Sequence, residues 1–99
     1  MAKFELTKKA VKDLSGIWEY TFETWSEKQA DKYYKQILSE CTRLSIRPED
    51  GRSYQGIVAS LRGKKINKHI ILYRVLGKQH IEVARILHER MDLKSRIAE

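Results

Sequence analysis

A chain of 99 residues with a net charge of +7 has the size of one domain, predicted here as 1–99, and can bury one modest core. No apolar run approaches the roughly 20 residues of a membrane span, and Met1-Ala2-Lys3-Phe4-Glu5 lacks the apolar segment of a signal peptide, so a cytoplasmic protein with no membrane partner is expected. The single cysteine, Cys41, excludes an internal disulfide framework.

Lys3-Phe4-Glu5-Leu6 alternates in polarity and predicts a short edge strand. Thr7 follows with an oxygen able to cap the next turn, and Leu6 and Val11 have the spacing of a hydrophobic staple. A first helix is predicted from there. Val11, Leu14, Trp18, Phe22 and Trp25 recur at steps of three and four, with Ile17 and Thr21 widening the stripe. The stripe carries more aromatic surface than a helix of this length needs. Core packing explains it most simply, and Trp18→Ala would then cost about 3–5 kcal/mol; the alternative is that one edge of the stripe meets a partner.

Ser26 and Gln29 form a capping box that ends one helix and begins another, which predicts an antiparallel helical hairpin. The second helix presents Ala30, Tyr33, Tyr34, Ile37, Leu38, Cys41 and Leu44 on one face, with Cys41 as a small core residue. Pro48 disfavours helix at Arg47 and Gly51 can take a positive φ, so a turn is expected there.

Strand patterns follow. Ile57, Ala59 and Leu61 alternate within Tyr54 to Leu61, and Gly63-Lys64-Lys65 is the expected turn into the next strand. His69 to Arg74 and Ile81 to Leu87 hold the densest β-branched and aromatic run, divided by Leu76-Gly77-Lys78 into a central hairpin. Leu93 and Ile97, one turn apart, predict a short helix between Glu89 and Ala98. The expected fold is α+β: an N-terminal edge strand and an antiparallel helical hairpin packed on a mainly antiparallel three- to four-stranded sheet, with a short C-terminal helix.

Up to Asp50, Lys and Arg number nine against nine Asp and Glu; from Gly51 onward they number eleven against four. The whole excess lies in the strand-rich half, which marks the sheet and its ends as a surface that attracts anionic partners. A basic face that merely aids solubility is the plainer alternative.

Most enzyme signatures are absent. His88-Glu89 could open a zinc helix, but Asp92 stands where the second histidine belongs. No glycine cluster cradles phosphate and no serine sits in a nucleophile elbow, so neither a metal nor a cofactor is expected. His69 and His80 read as half-buried polar residues. Arg74, Arg85, His88 and Arg90 could still stabilise a phosphorane-like transition state and move protons, the minimum for cutting RNA without metal. Strand alternation sets Arg85 on the side of Val83 and Leu87, with His88 and Arg90 where the strand gives way to the tail. A structural alternative pairs Arg85 with Asp92 to pin that tail to the sheet.

The sequence resembles the ParE branch of the ParE/RelE superfamily of type II toxins. The resemblance rests on Asp13-Leu14, Ile17-Trp18, Gln29-Ala30, Tyr33-Tyr34, Pro48, Gly51-Arg52, Leu61-Arg62, His69 to Arg74 and above all Arg85 to Asp92, and it spans roughly residues 4 to 94. It implies a toxin that poisons DNA gyrase, blocks replication and is held inactive by a cognate ParD-like antitoxin, with no sequence-specific DNA binding of its own. The RelE branch implies instead a ribosome-dependent messenger RNA endoribonuclease. In that case Arg62, Arg74, Arg85 and His88 are the catalytic candidates, although no tyrosine follows His88. For a gyrase poison, the candidates for target contact are Arg85, His88, Arg90 and Met91. Those for antitoxin contact are Trp18, Trp25, Tyr33, Tyr34, Arg62 and Arg74.

Overall fold

Two side-chain caps start the two helices. In the computed structural model, which describes residues 2–53 and 61–91, the Thr7 hydroxyl accepts from the Ala10 amide at 3.0 Å and opens α1 (Lys8–Thr24). Ser26 accepts from Gln29 at 3.1 Å and opens α2 (Glu27–Ile46). Each cap satisfies an amide that the first helical turn cannot. The two helices follow β1 (Lys3–Leu6) and form the expected antiparallel hairpin. No helix among the described residues is long and apolar enough to cross a membrane.

After a 3-10 turn at Pro48–Asp50 the chain forms β2 (Arg52–Ser53), β3 (Arg62–Ile66), β4 (His69–Gly77) and β5 (His80–His88). Among the described residues the sheet therefore has five strands in the order β1-β5-β4-β3-β2, the expected N-terminal edge strand lying beside four others. It is antiparallel except where β1 lies parallel to β5 at one edge. Gly63-Lys64-Lys65 is the middle of β3 rather than a turn. The reversal falls at Asn67-Lys68, with Asn67 at φ 52°, a conformation asparagine tolerates better than most residues. Likewise Gly77 belongs to β4, and Gln79, at φ 53°, takes the left-handed position in the next turn. The strand expected at Tyr54 to Leu61 and the C-terminal helix fall, apart from Leu61 and Glu89 to Met91, outside the described residues.

The core lies between the helices and one face of the sheet. It gathers Ala10, Leu14, Ile37, Cys41 and Leu44 with Ile71, Tyr73, Ile81, Val83 and Ile86. Ile70, Leu72 and Leu87 form a second buried cluster on the opposite face. Val83 and Leu87 thus point to opposite faces, against simple alternation. A bulge explains it: Leu72 pairs with Arg85 while Tyr73 pairs with Val83, so Ala84 is an extra residue that resets the parity of β5.

The α1 stripe is displaced from its expected place. Ala10, Leu14 and Thr21 are buried and Ile17 packs on the core, whereas Val11, Phe22 and Trp25 are exposed. Trp18 is only half-buried, stacked on Phe22 with ring centroids 5.3 Å apart, and donates its Nε1–H to Asp31 at 2.9 Å. Trp18 is therefore not a core ring, and the penalty expected for a core tryptophan does not apply.

Gly51 has φ −82°, so its role is not a positive φ. A methyl group there would overlap the Tyr73 hydroxyl, which donates to the Pro48 carbonyl at 2.6 Å. The glycine is needed for close approach.

Candidate functional site

The arginines proposed for chemistry or contact are dispersed through the structure. The Arg62 guanidinium donates to the carbonyls of Gly51 at 2.7 Å and Glu49 at 3.3 Å, holding the 3-10 turn against β3. Arg74 faces Glu82 across the β4/β5 ladder at 3.4 Å. Arg85 is bound in a fork by Asp13 of α1, through Nε to Oδ2 at 2.8 Å and Nη2 to Oδ1 at 3.0 Å. Asp13 Oδ2 also accepts the Ile86 amide at 3.0 Å.

The position of Asp13 follows from the topology. β1 covers β5 only as far as Val83, and beyond it α1 supplies the missing partners: Thr7 donates its hydroxyl to the Ala84 carbonyl at 2.7 Å, and Asp13 takes the next free amide. Arg85 is thereby tied to the fold, its side chain 13% exposed. Asp13 is an anion that holds it; the expected pairing with Asp92 lies outside the described residues.

One group does converge, at the end of the sheet where β4 begins and β5 finishes. His69 and His88 stand opposite each other in register, with rings edge to face and centroids 5.4 Å apart. Tyr33 of α2 reaches the same point. Its hydroxyl donates to the Ile66 carbonyl at 3.1 Å and accepts from Nδ1 of His69 at 2.8 Å. His88 Nδ1 accepts the Arg90 amide at 3.1 Å, so the neutral ring carries its proton on Nε2. Burial, and then the neighbouring His88, hold the His69 pKa below its ordinary value, keeping that ring neutral. Burial likewise raises the Tyr33 phenol above its usual range.

Around this group the rim is charged. Lys65 pairs with Glu89 at 2.7 Å and, chiefly through that bond, holds its carboxyl below the ordinary range; the Glu89 amide donates to the Lys68 carbonyl at 2.8 Å. This turn bends the chain after β5 and leaves Arg90 and Met91 exposed beside His88. Of the four residues expected to meet the target, His88, Arg90 and Met91 come together. His69 joins them unforeseen. Its one legible signal was a register that brings it opposite His88, and that register depends on the Asn67 turn.

A second surface is aromatic. Phe22, Trp25 and Tyr34 are exposed on the helical hairpin, Trp25 to 73%, and Tyr20 emerges elsewhere on α1. Trp25 and Tyr34 are thus free to meet a partner, Trp18 supports Phe22 from below, and Tyr33 faces the histidines. Isolated apolar side chains on a surface need no explanation, but several bulky rings exposed on one hairpin are more than that background.

Known proteins share this arrangement. The family model for the ParE toxin of the type II toxin-antitoxin system parDE matches residues 4–93. Toxin ParE1 of Mycobacterium tuberculosis is 32% identical over 92 residues, covering 93% of this chain and 94% of its own. Toxin ParE of Escherichia coli is 29% identical over 99 residues, covering 100% of this chain and 96% of its own. The solved chromosomal ParDE system from P. aeruginosa contains a chain of the same fold, with a TM-score of 0.76 and 23% identity over 89% of this chain and 96% of that one. With its order of elements and nearly its whole length matched, the chain belongs to the ParE toxin family of type II toxin-antitoxin systems.

Proposed function

We propose that this toxin inhibits DNA gyrase and so blocks replication in the cytoplasm, as a single domain over 1–99, and that a cognate ParD-like antitoxin neutralises it. The observation that carries this reading is the dispersal of the arginines. Arg62, Arg74 and Arg85 each bind a different part of the fold, so the cationic centre that RNA cleavage would require does not assemble around His88. What is left accessible is a contact rim, with His88, Arg90 and Met91 toward the target, and an aromatic shoulder of Phe22, Trp25 and Tyr34 toward the antitoxin. In this reading the toxin recognises a protein surface and does not read DNA sequence by itself.

The test is a pair of assays on the purified protein, gyrase supercoiling and ribosomal translation. Inhibition of supercoiling with translation untouched is expected. Joint replacement of His88 and Arg90 by alanine should remove that inhibition while thermal stability and antitoxin binding hold. Inhibition of translation with cut messenger RNA, and none of supercoiling, would replace this reading with the RelE-type alternative.

A further inference from the structure

One bond that orders the contact rim is a bond that a proton can break. Nδ1 of His88 accepts the Arg90 amide at 3.1 Å, so that nitrogen keeps a lone pair. A second proton on this ring can enter only at Nδ1, where it meets the amide hydrogen; two donors then face each other and the bond is lost. His69 is built the other way. Its Nδ1 already donates to the Tyr33 hydroxyl at 2.8 Å, so a second proton enters at Nε2 and that bond survives. The two rings are nevertheless coupled, because their centroids lie 5.4 Å apart and a charge on one disfavours a charge on the other.

The groups around the pair offer a second charge little relief. Among the described residues, α2 brings Tyr33, the end of β3 brings Lys65, the next turn brings Lys68, and the tail after β5 brings Glu89 and Arg90. Glu89 is the one carboxylate in that set, and it is already paired with Lys65 at 2.7 Å. A metal ion is not what the pair is arranged to hold. With Nδ1 accepting an amide, Nε2 of neutral His88 carries a proton where a metal needs a lone pair.

Resting on the gyrase reading above, we propose that His69 and His88 form a proton-operated latch on the contact rim. When the pair is neutral, His88 clamps the Arg90 backbone and presents Arg90 and Met91 in one arrangement. Acid adds a proton, cuts the Arg90 bond and drives the His88 ring away from His69, so the rim loses its set geometry and its grip on the target. The turn beneath it persists, because the Glu89 and Met91 amides donate to the carbonyls of Lys68 and His88, at 2.8 and 3.0 Å, and carbonyls do not titrate. The toxin is then most effective near neutrality and weakens as its surroundings acidify.

The experiment follows the nitrogen-labelled wild-type toxin by NMR from about pH 8 to 5, reading the His88 ring nitrogens and the Arg90 amide. The Ala10 amide, held by the Thr7 hydroxyl, serves as reference. The Arg90 amide should shift with the midpoint of the His88 ring and lose at least about fivefold in exchange protection below it, while Ala10 stays still. His88→Asn places an oxygen where Nδ1 stood, an acceptor that takes no proton, and there the Arg90 amide should not respond. His69→Gln should keep the response and move its midpoint to higher pH, because the opposing charge is gone. Binding to purified gyrase is then measured at about pH 7.5 and 5.5; wild-type affinity should fall about fivefold or more, the worth of one hydrogen bond, and that of His88→Asn should change by less than about twofold. An Arg90 amide that ignores the His88 titration overturns the latch, whatever gyrase binding shows. An Arg90 amide that follows it, while both proteins lose gyrase affinity in equal ratio, overturns the link from latch to target. A wild-type protein that binds no gyrase at the higher pH overturns the gyrase reading, and the Arg90 amide alone then decides the latch.

Discussion

Replacing Asp13 with alanine tests what fastens α1 to the sheet. The carboxylate receives two hydrogen bonds from Arg85 and one from the Ile86 amide, at 2.8 to 3.0 Å. Both side chains are about one-seventh exposed, at 14% and 13%, so solvent screening removes little of the interaction. Removing one partner of such a pair costs about 3–5 kcal/mol, because the other, buried charge loses the carboxylate that receives two of its hydrogen bonds. The Ile86 amide, left unpaired, accounts for about 1–3 kcal/mol of that loss. Domains of this size are stable by roughly 5–15 kcal/mol, so Asp13→Ala should consume a large share. In urea, at a slope of about 1–3 kcal/mol per molar, the midpoint should fall by more than about 1 M with the slope unchanged. Pairing Asp13→Leu with Arg85→Met should recover part of the loss, since no charge is then left buried. An Asp13→Ala loss below about 1 kcal/mol, or a double-mutant coupling between Asp13 and Arg85 under about 0.5 kcal/mol, would refute this account of the helix anchor.

Trp18→Ala should cost about 1–2 kcal/mol, from one stacking contact and one hydrogen bond at a half-exposed site, while Trp25→Ala should shift stability by less than about 0.5 kcal/mol yet weaken antitoxin binding; equal urea losses for the two would contradict their different surroundings. Because His69 is held below its ordinary pKa of 6.5 in the folded state, its contribution to stability is complete above that value and is lost as pH falls through the lower folded pKa. Stability should therefore decline below about pH 6.5, and His69→Gln should flatten that decline where it begins, above the range in which Glu89 titrates. Burial pushes the Cys41 thiol up to about 12, so iodoacetamide at pH 8 should leave the folded protein unmodified and label it in urea. Gly51→Ala should destabilise by about 1–3 kcal/mol through overlap with the Tyr73 hydroxyl, and Gly51→Ala in a Tyr73→Phe background should cost measurably less.

The helix starts were legible because a cap is local: Thr7 and Ser26 each satisfy an amide three residues on. The orientation of α1 was not. Its most hydrophobic line runs through Val11, Trp18 and Phe22, one residue and so about 100° from the buried line through Ala10, Ile17 and Thr21. Small and polar side chains sit in the core there because α1 packs close to the end of β5, where Asp13 serves the strand edge. No pattern of hydrophobicity encodes that. The bulge at Ala84 was equally hidden, since an inserted residue leaves the composition of a strand unchanged while reversing every face beyond it. The grouping of His88, Arg90 and Met91 where the last strand ends was foreseen. Its fixed geometry was not, because it depends on Tyr33, which lies 36 residues before His69 in the chain. Arg62, Arg74 and Arg85 read as surface cations because their carbonyl and carboxylate partners are distant in sequence or across a strand.

The parallel pairing of β1 with β5 has a consequence for how the toxin is made. Thr7 and Ala84 are bonded across 77 positions of chain, and β5 is an internal strand that follows the other four in sequence. At a synthesis rate of about 5–20 residues per second, β1 waits roughly 4–15 s for its neighbour, and until then α1 and α2 have no complete sheet on which to bury their apolar faces. Contacts so distant in the chain also close slowly once they become possible. On the proposed reading, the contact rim of His88, Arg90 and Met91 is made only after the helical hairpin and the other four strands. An antitoxin already present in the cell would meet the helical hairpin before that rim can form.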